Sequence, residues 1–199
     1  MKVEEHAIIL DFLPRGRSTG FKSEPVAQVM GIDYFTILEV VPKEGVSLKA
    51  GEKIYVGKDE RDKIDHIKRR IGFKELTINS VTELDKIVEQ LVLDDEKKYV
   101  DFFNSSSAIT IRRHKLELLP GLGKKHLFQI LEERDKKPFE SFDEIAERVS
   151  LMPNPKKLIV KRILEEIKEE DDPRHYLFVR PPTQERERFP RDNQNFRRY

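Results

Sequence analysis

The run Leu119-Pro120-Gly121-Leu122-Gly123-Lys124-Lys125 sets two glycines against two lysines at a point where one helix-spaced apolar pattern stops and another begins. Glycine takes positive φ readily and, having no Cβ, lets another backbone come close. A helix opening at Lys124 presents first-turn N–H groups that have no intrahelical partner and stand at the positive end of the helix dipole. Main-chain amides backed by two ammonium groups make a site for an anion, and phosphate is the commonest anion of that shape. Arg112, Arg113 and Lys115 precede the run, and Glu117 is the only acid between residues 112 and 125; His114 and His126 lie in the same stretch. Basic groups so placed would neutralise phosphates along a strand and release counterions. They would position that strand rather than read its bases, because reading needs side chains that enter a groove. An ordinary helix–helix turn with solvated lysines would carry the same residues.

A shift of 33 residues brings the region onto itself. Residues 110–134 align with 143–167 without a gap, and Leu118, Pro120, Lys124, Ile130, Leu131, Glu132 and Glu133 fall on Leu151, Pro153, Lys157, Ile163, Leu164, Glu165 and Glu166. In this register Asn154 stands where the first copy has Gly121, and Asn tolerates left-handed geometry better than most residues. Pro155 suits the first turn of a helix. The first run resembles the hairpin of helix-hairpin-helix domains, which grip nucleic-acid backbone, and two copies at a fixed period resemble the tandem form. Without its glycines the second copy, Pro153-Asn154-Pro155, is expected to pack rather than to bind.

A second group of cations occupies residues 58–74, where seven basic residues face four acidic ones. Arg61, Lys63, Lys68, Arg69 and Arg70 are the candidates for contact with a strand, with Tyr34, Phe35, Tyr55 and Phe73 as stacking surfaces if they are exposed. The alternative is that the aromatics form core and the charges pair on the surface. Catalytic signatures are missing. The Gly121-x-Gly123-Lys124 spacing is too short for a nucleotide-binding P-loop and lacks its hydroxyl. No H-E-x-x-H, G-x-S-x-G or kinase pattern occurs. The five histidines, at 6, 66, 114, 126 and 175, have no metal-ligand spacing. The chain therefore reads as non-enzymatic, with no catalytic residue, metal or cofactor expected.

The elements that must position these residues change type along the chain. Residues 7–13, 25–30, 34–41 and 53–56 are short β-rich runs set off by turn formers, with a hairpin at Gly31-Ile32-Asp33. Ile64, Ile67 and Ile71 fit either a helix or a fifth strand. Four or five strands within about 70 residues imply a small barrel. Helices follow. Ser80-Val81-Thr82-Glu83 and Ser141-Phe142-Asp143-Glu144 have capping-box form. Leu84, Ile87, Val88 and Leu91, then Val160, Ile163, Leu164 and Ile167, are the stripes of buried helix faces. Residues 96–104 predict a further helix, and Ser105-Ser106-Ser107 breaks it. Residues 176–179 read as a strand that docks back on the barrel. Residues 183–199 have no periodicity and mix five arginines with Phe189, Phe196 and Tyr199; a solvated tail is expected there.

Whole-chain composition bounds the rest. The 199 residues carry 38 basic and 37 acidic side chains, a net charge of +1, so any binding face must be local. Charged residues make up 38% of the chain, with no Cys and no Trp, a balance that fits a cytoplasmic protein and leans towards those of thermophiles. The absence of Cys excludes disulfides and thiolate metal sites. No apolar run approaches the roughly 18 residues of a membrane span, and the acidic Met1–His6 segment lacks signal-peptide character.

Five stretches together resemble a largely archaeal, uncharacterised family of proteins predicted to bind RNA: AIILDFL from residue 7, YFTILEVVP from 34, IYVGK from 54, LELLPGLGKK from 116 and PFESFDEIAERV from 138. The resemblance implies an OB-like domain fused to helix-hairpin-helix; with the residue patterns above, the expected fold is α+β, an OB-like small β-barrel with trailing helices (1–104) before an all-α tandem helix-hairpin-helix domain (105–172), then the docking segment (173–182) and the tail (183–199). It also implies RNA as partner; the lack of a long apolar run leaves no membrane partner expected. Residue chemistry leaves DNA, as for a repair or recombination accessory factor, equally open. A protein-interaction adaptor whose hairpins only pack is the third reading.

Overall fold

The computed structural model describes residues 4–16, 24–168 and 175–181; the loop residues 17–20 and the tail 183–199 lie outside the described residues. The fold is α+β. Strands β1 (His6–Leu13), β2 (Val26–Gly31), β3 (Ile37–Pro42), β4 (Lys53–Tyr55) and β5 (Ile64–Arg70) make one antiparallel sheet in the order β4-β1-β2-β3-β5. The spatial order 4-1-2-3 is that of a Greek key. Both faces of β2 and β3 are buried, so these strands are mostly apolar without a clean alternation, and Gln28 and Glu39 are their buried polar residues. Extra residues at Leu10 in β1 and at Lys68 and Asp65 in β5 bend the strands, and the sheet curls into a half-barrel. It stays open between its edges, β4 and β5. Ala7, Ile9, Val29, Val40, Ile54 and Ile64 form one apolar cluster of this sheet.

Helices α1 (Ile78–Asp94), α2 (Glu96–Ser105), α3 (Lys124–Lys136), α4 (Phe142–Arg148) and α5 (Pro155–Lys168) complete the described core, with a two-stranded hairpin of β6 (Ala108–Thr110) and β7 (Arg113–His114) after α2. Leu84, Ile87, Val88 and Leu91 are buried along α1, as their spacing predicts. One apolar cluster joins Leu10 and Met30 of the sheet to Val88, Phe103, Ile130, Ile145 and Ile163 of the five helices, so it runs without a break across residue 104. None of the described helices is long and apolar enough to cross a membrane.

Three local expectations shift. The cap of α1 is Thr77, whose hydroxyl accepts the Ser80 amide at 3.1 Å, and not Ser80. Ser80 is drawn inside instead, where its hydroxyl donates to the buried Gln28 side chain at 2.7 Å. Ser141 does cap its helix, accepting from the Glu144 amide. The third strand begins at Ile37 rather than Tyr34, because the amides of Asp33, Tyr34 and Thr36 turn onto the buried Glu4 carboxylate at 3.0, 3.2 and 3.0 Å. Phe35 takes φ 54° to allow this. A Cβ on Gly31 would stand 2.0 Å from the Glu4 carboxyl carbon, so only glycine admits the carboxylate there.

The segment 175–181 contains no strand. It is an irregular strap pinned by Glu166 of α5, whose buried carboxylate accepts the amides of Leu177, Phe178 and Val179 at 2.8–3.0 Å and the Arg162 guanidinium at 2.8 Å. Phe178 packs edge-on against Phe102 and Tyr99, and the Arg180 amide donates to the Tyr34 carbonyl at 3.0 Å. Burial pushes the Tyr99 phenol well above its usual range.

Candidate nucleic-acid interface

The 112–125 stretch is built from two short turns and the start of α3. Ile111, at the tip of the β6–β7 hairpin, is fully exposed, and Arg112 and Arg113 beside it are exposed. The limb before the turn is not an α-helix as the apolar spacing predicts. It is a 3-10 turn over Lys115–Leu118, closed by a reciprocal pair of bonds in which His114 Nδ1 accepts the Leu116 amide and Glu117 accepts the His114 amide at 2.6 Å. Glu117, the one acid of the stretch, is thus folded onto main chain. Burial, with the positive Arg134 nearby, holds the His114 imidazole below its usual pKa.

Leu119-Pro120-Gly121-Leu122 is a tight turn with the Leu122 amide 3.1 Å from the Leu119 carbonyl and Gly121 at φ 90°. That is the type II pattern, with proline second and a left-handed residue third. Gly123 is the N-cap of α3. It has extended geometry (φ −85°), offers no side-chain cap, and the place where its Cβ would stand has nothing within 4 Å. Any residue could adopt that backbone, and Ser or Asp would cap the helix better. Gly121, Gly123, Lys124 and Lys125 are all exposed, no acid lies in the first turn of α3, and neither lysine forms a salt bridge among the described residues. Arg112 and Arg113 share that condition. Phe128, one turn along from Lys124, is 65% exposed; its spacing from Lys124 was the signal that could have placed it on this face.

The second turn is related to the first, but not in the register of the sequence self-match. Val149-Ser150-Leu151-Met152 repeats the fold of 119–122, and its left-handed third residue is Leu151 (φ 57°), not Asn154. Asn154 accepts the Lys157 amide at 3.0 Å and so caps α5, as Gly123 stands before α3. The turns are therefore 30 residues apart and the helix starts 31, the extra residue being Pro153. A 33-residue shift also lays β6 and β7 on α4, two unlike structures. At the second turn Pro155 takes the place of Lys124, and Lys156, in the place of Lys125, is ion-paired with Glu89 at 2.7 Å.

The barrel cations divide into two groups. Lys63 pairs with Glu52, Lys68 with Glu24 at 3.0 Å, and Arg69 with both Glu39 and Glu75, the latter at 2.6 Å. The Lys63 contact holds the Glu52 carboxyl below its usual pKa, and Glu75 raises that of Arg69. Arg61 and Arg70 bond carbonyls: Gly57 and Asp65 for Arg61, Arg180 and Pro181 for Arg70. Both line an open cleft between the β4 and β5 edges. Phe35 is core, and Tyr34, Tyr55 and Phe73 are half-buried, Tyr55 bonded to Asp59. Among the described residues no group of three or more His, Asp or Glu side chains gathers as a metal site would require.

Residues 3–180 match the model of a family described as protein of unknown function (DUF655). Over 179 residues, 90% of this chain and 81% of the relative, the sequence is 41% identical to the uncharacterized protein MJ0038 of Methanocaldococcus jannaschii. Among solved structures, the crystal structure of Af1531 from Archaeoglobus fulgidus, described as family-model DUF655, is similar with a TM-score of 0.80 and 46% identity, covering 89% of this chain and all of that one.

Proposed function

We propose, for a chain that belongs to the DUF655 family and has archaeal relatives, that it is a nucleic-acid-binding protein which grips backbone phosphate at the 119–125 corner. The corner acts as the binding hairpin of a helix-hairpin-helix unit whose first limb is reduced to a 3-10 turn, and RNA is the preferred strand. The half-barrel, a five-stranded, partly open Greek key, is OB-like and supplies a second surface. No reaction is assigned.

One observation carries this reading. Gly123 stands at a helix start where neither φ nor packing asks for glycine, and a Cβ there would project into open space beside two exposed lysines without salt bridges among the described residues. Glycine is an ordinary N-cap, and here it also leaves the first-turn main chain open to a partner that comes up to it. The positive helix end and the lysines select an anion for that partner. The second turn has no lysine at the first helix position and an ion pair at the next, which supports a packing role for it.

The test is the Lys124→Glu, Lys125→Glu double variant, titrated by fluorescence anisotropy with a structured RNA and with duplex DNA over a range of salt. Wild type should lose affinity steeply as salt rises, and the variant should bind at least about tenfold more weakly with a salt slope reduced by about two phosphate contacts. An unchanged curve from a folded variant would overturn the reading. Competition between the two probes at fixed salt decides RNA against DNA, the latter being the accessory-factor case. Binding of neither, by a folded wild type, leaves the adaptor.

A further inference from the structure

The cleft between the open edges of the half-barrel is a second site, distinct in place and chemistry from the corner. Its volume is about 370 Å³, within the range of small-molecule sites, and barrel mouths are common places for them. The floor is apolar, made by Leu38, Val56 and Ile67. Around it stand Lys58, Arg61, Arg70 and Arg180, brought from three separate segments: the 57–61 loop, β5 and the strap. Lys58 and Arg61 form no salt bridge among the described residues, and Arg61 is aimed by two carbonyls, Gly57 at 2.9 Å and Asp65 at 3.4 Å. Arg70 is fixed by the Arg180 and Pro181 carbonyls at 2.6 and 2.9 Å.

Thr36 also lines the cleft, but it is only 6% exposed and its hydroxyl oxygen is sealed from solvent, without a hydrogen-bond partner. Its main-chain amide is already bonded, to Glu4. Glu4 also lines the cleft, but its oxygens are taken up by three amides and hold the 33–36 loop in place.

We propose that this cleft binds one phosphorylated nucleotide. Its phosphate meets Lys58 and Arg61, and its flat base rests on the apolar floor. Lys58 and Arg61 form no salt bridge among the described residues, and an ammonium beside a guanidinium suits phosphate oxygens. A bare inorganic anion would leave the floor uncovered. The nucleotide can come from two sources, free in solution or as the phosphorylated end of an RNA strand.

Calorimetric titration of the full chain with adenosine 5′-monophosphate, adenosine, inorganic phosphate and a short RNA bearing either a 5′-phosphate or a 5′-hydroxyl tests this. Adenosine 5′-monophosphate should bind at least about tenfold more tightly than adenosine and than phosphate. Lys58→Ala should weaken it several-fold. Stronger binding of the 5′-phosphate RNA than of the mononucleotide assigns the strand end; equal or weaker binding assigns the free nucleotide. The corner variant Lys124→Glu, Lys125→Glu must bind adenosine 5′-monophosphate as wild type does, so the two sites fail separately. No binding of the monophosphate, or equal binding of monophosphate and nucleoside, or of monophosphate and inorganic phosphate, sinks the proposal.

Discussion

The imidazole Nε2 of His126 lies 3.1 Å from the carbonyl oxygen of Leu151. A carbonyl only accepts, so Nε2 carries the proton and donates. The helix that starts at the first turn therefore holds the one residue of the second turn that sits in left-handed geometry. Gln129, a turn further along α3, reaches the same loop by donating to the Ser150 hydroxyl at 2.9 Å. Two turns of the same form are thus tied side by side, one with glycine in the left-handed place and the other with leucine.

That difference has an energetic consequence. Left-handed backbone costs a non-glycine residue about 1–2 kcal/mol, and Leu151 is 86% exposed, so its side chain offsets little of it. Leu151→Gly removes the strain but adds freedom to the unfolded chain, about 0.5–1 kcal/mol. The expected net result is stability unchanged or raised by up to about 1 kcal/mol in urea unfolding, whereas Gly121→Ala should lose about 1–2 kcal/mol. A loss above about 1 kcal/mol in Leu151→Gly would mean that the leucine makes contacts in solution that its exposure denies.

Much of this arrangement is legible in the residues. Short β-rich runs place β2 and β3, helical stripes place α1 and α5, and Ser141 marks the start of α4. Ile64 to Ile71 is ambiguous by spacing, and only pairing with β3 makes it a strand. The corner residues can be read from Pro-Gly-x-Gly-Lys-Lys because turn and cap are local. The equivalence of the two turns cannot, because an inserted Pro153 and an unglycined Leu151 hide it from an ungapped match. The cleft is equally hidden. Thr36, Lys58, Arg61, Arg70 and Arg180 come together only through strand order and a strap held by Glu166, relations among residues up to 144 positions apart, from 36 to 180.

Glu166 is the pin of that strap. Glu166→Gln keeps the volume but leaves one acceptor oxygen where four donors converge, and it removes the charge that balances Arg162. Breaking a buried, hydrogen-bonded pair in this way costs about 3–5 kcal/mol. Hydrogen exchange should show the amides of Leu177, Phe178 and Val179 losing protection ahead of the amides of β2. Uniform loss across both regions, or none at the strap, would argue against its being held by this carboxylate.

His114 predicts a pH dependence. Its folded pKa is held below the unfolded value, chiefly by burial, so the unfolded chain takes up the proton first as pH falls. The stability it supports is present above about pH 6.5 and is lost as pH falls from there through the folded pKa, at no more than about 1.4 kcal/mol per pH unit. His114→Asn keeps an acceptor for the Leu116 amide but does not titrate. Urea unfolding at pH 7.5 and 5.5 should show a smaller fall for the variant than for wild type; an equal fall assigns the effect to other groups.

Gly123→Ser separates fold from function most directly. Serine is a good N-cap and glycine nearly as good, so the exchange should alter stability by only a few tenths of a kcal/mol, if anything upward. The new side chain would occupy the open space before α3 and turn its hydroxyl onto the first-turn amides, the groups proposed to meet phosphate. Binding of RNA should weaken several-fold, with little change in salt slope because both lysines remain. Lys124→Glu with Lys125→Glu changes the slope, and Gly123→Ser changes the intercept. A serine variant that binds as wild type does would leave the lysines as a diffuse positive charge and remove the main-chain amides from the interface.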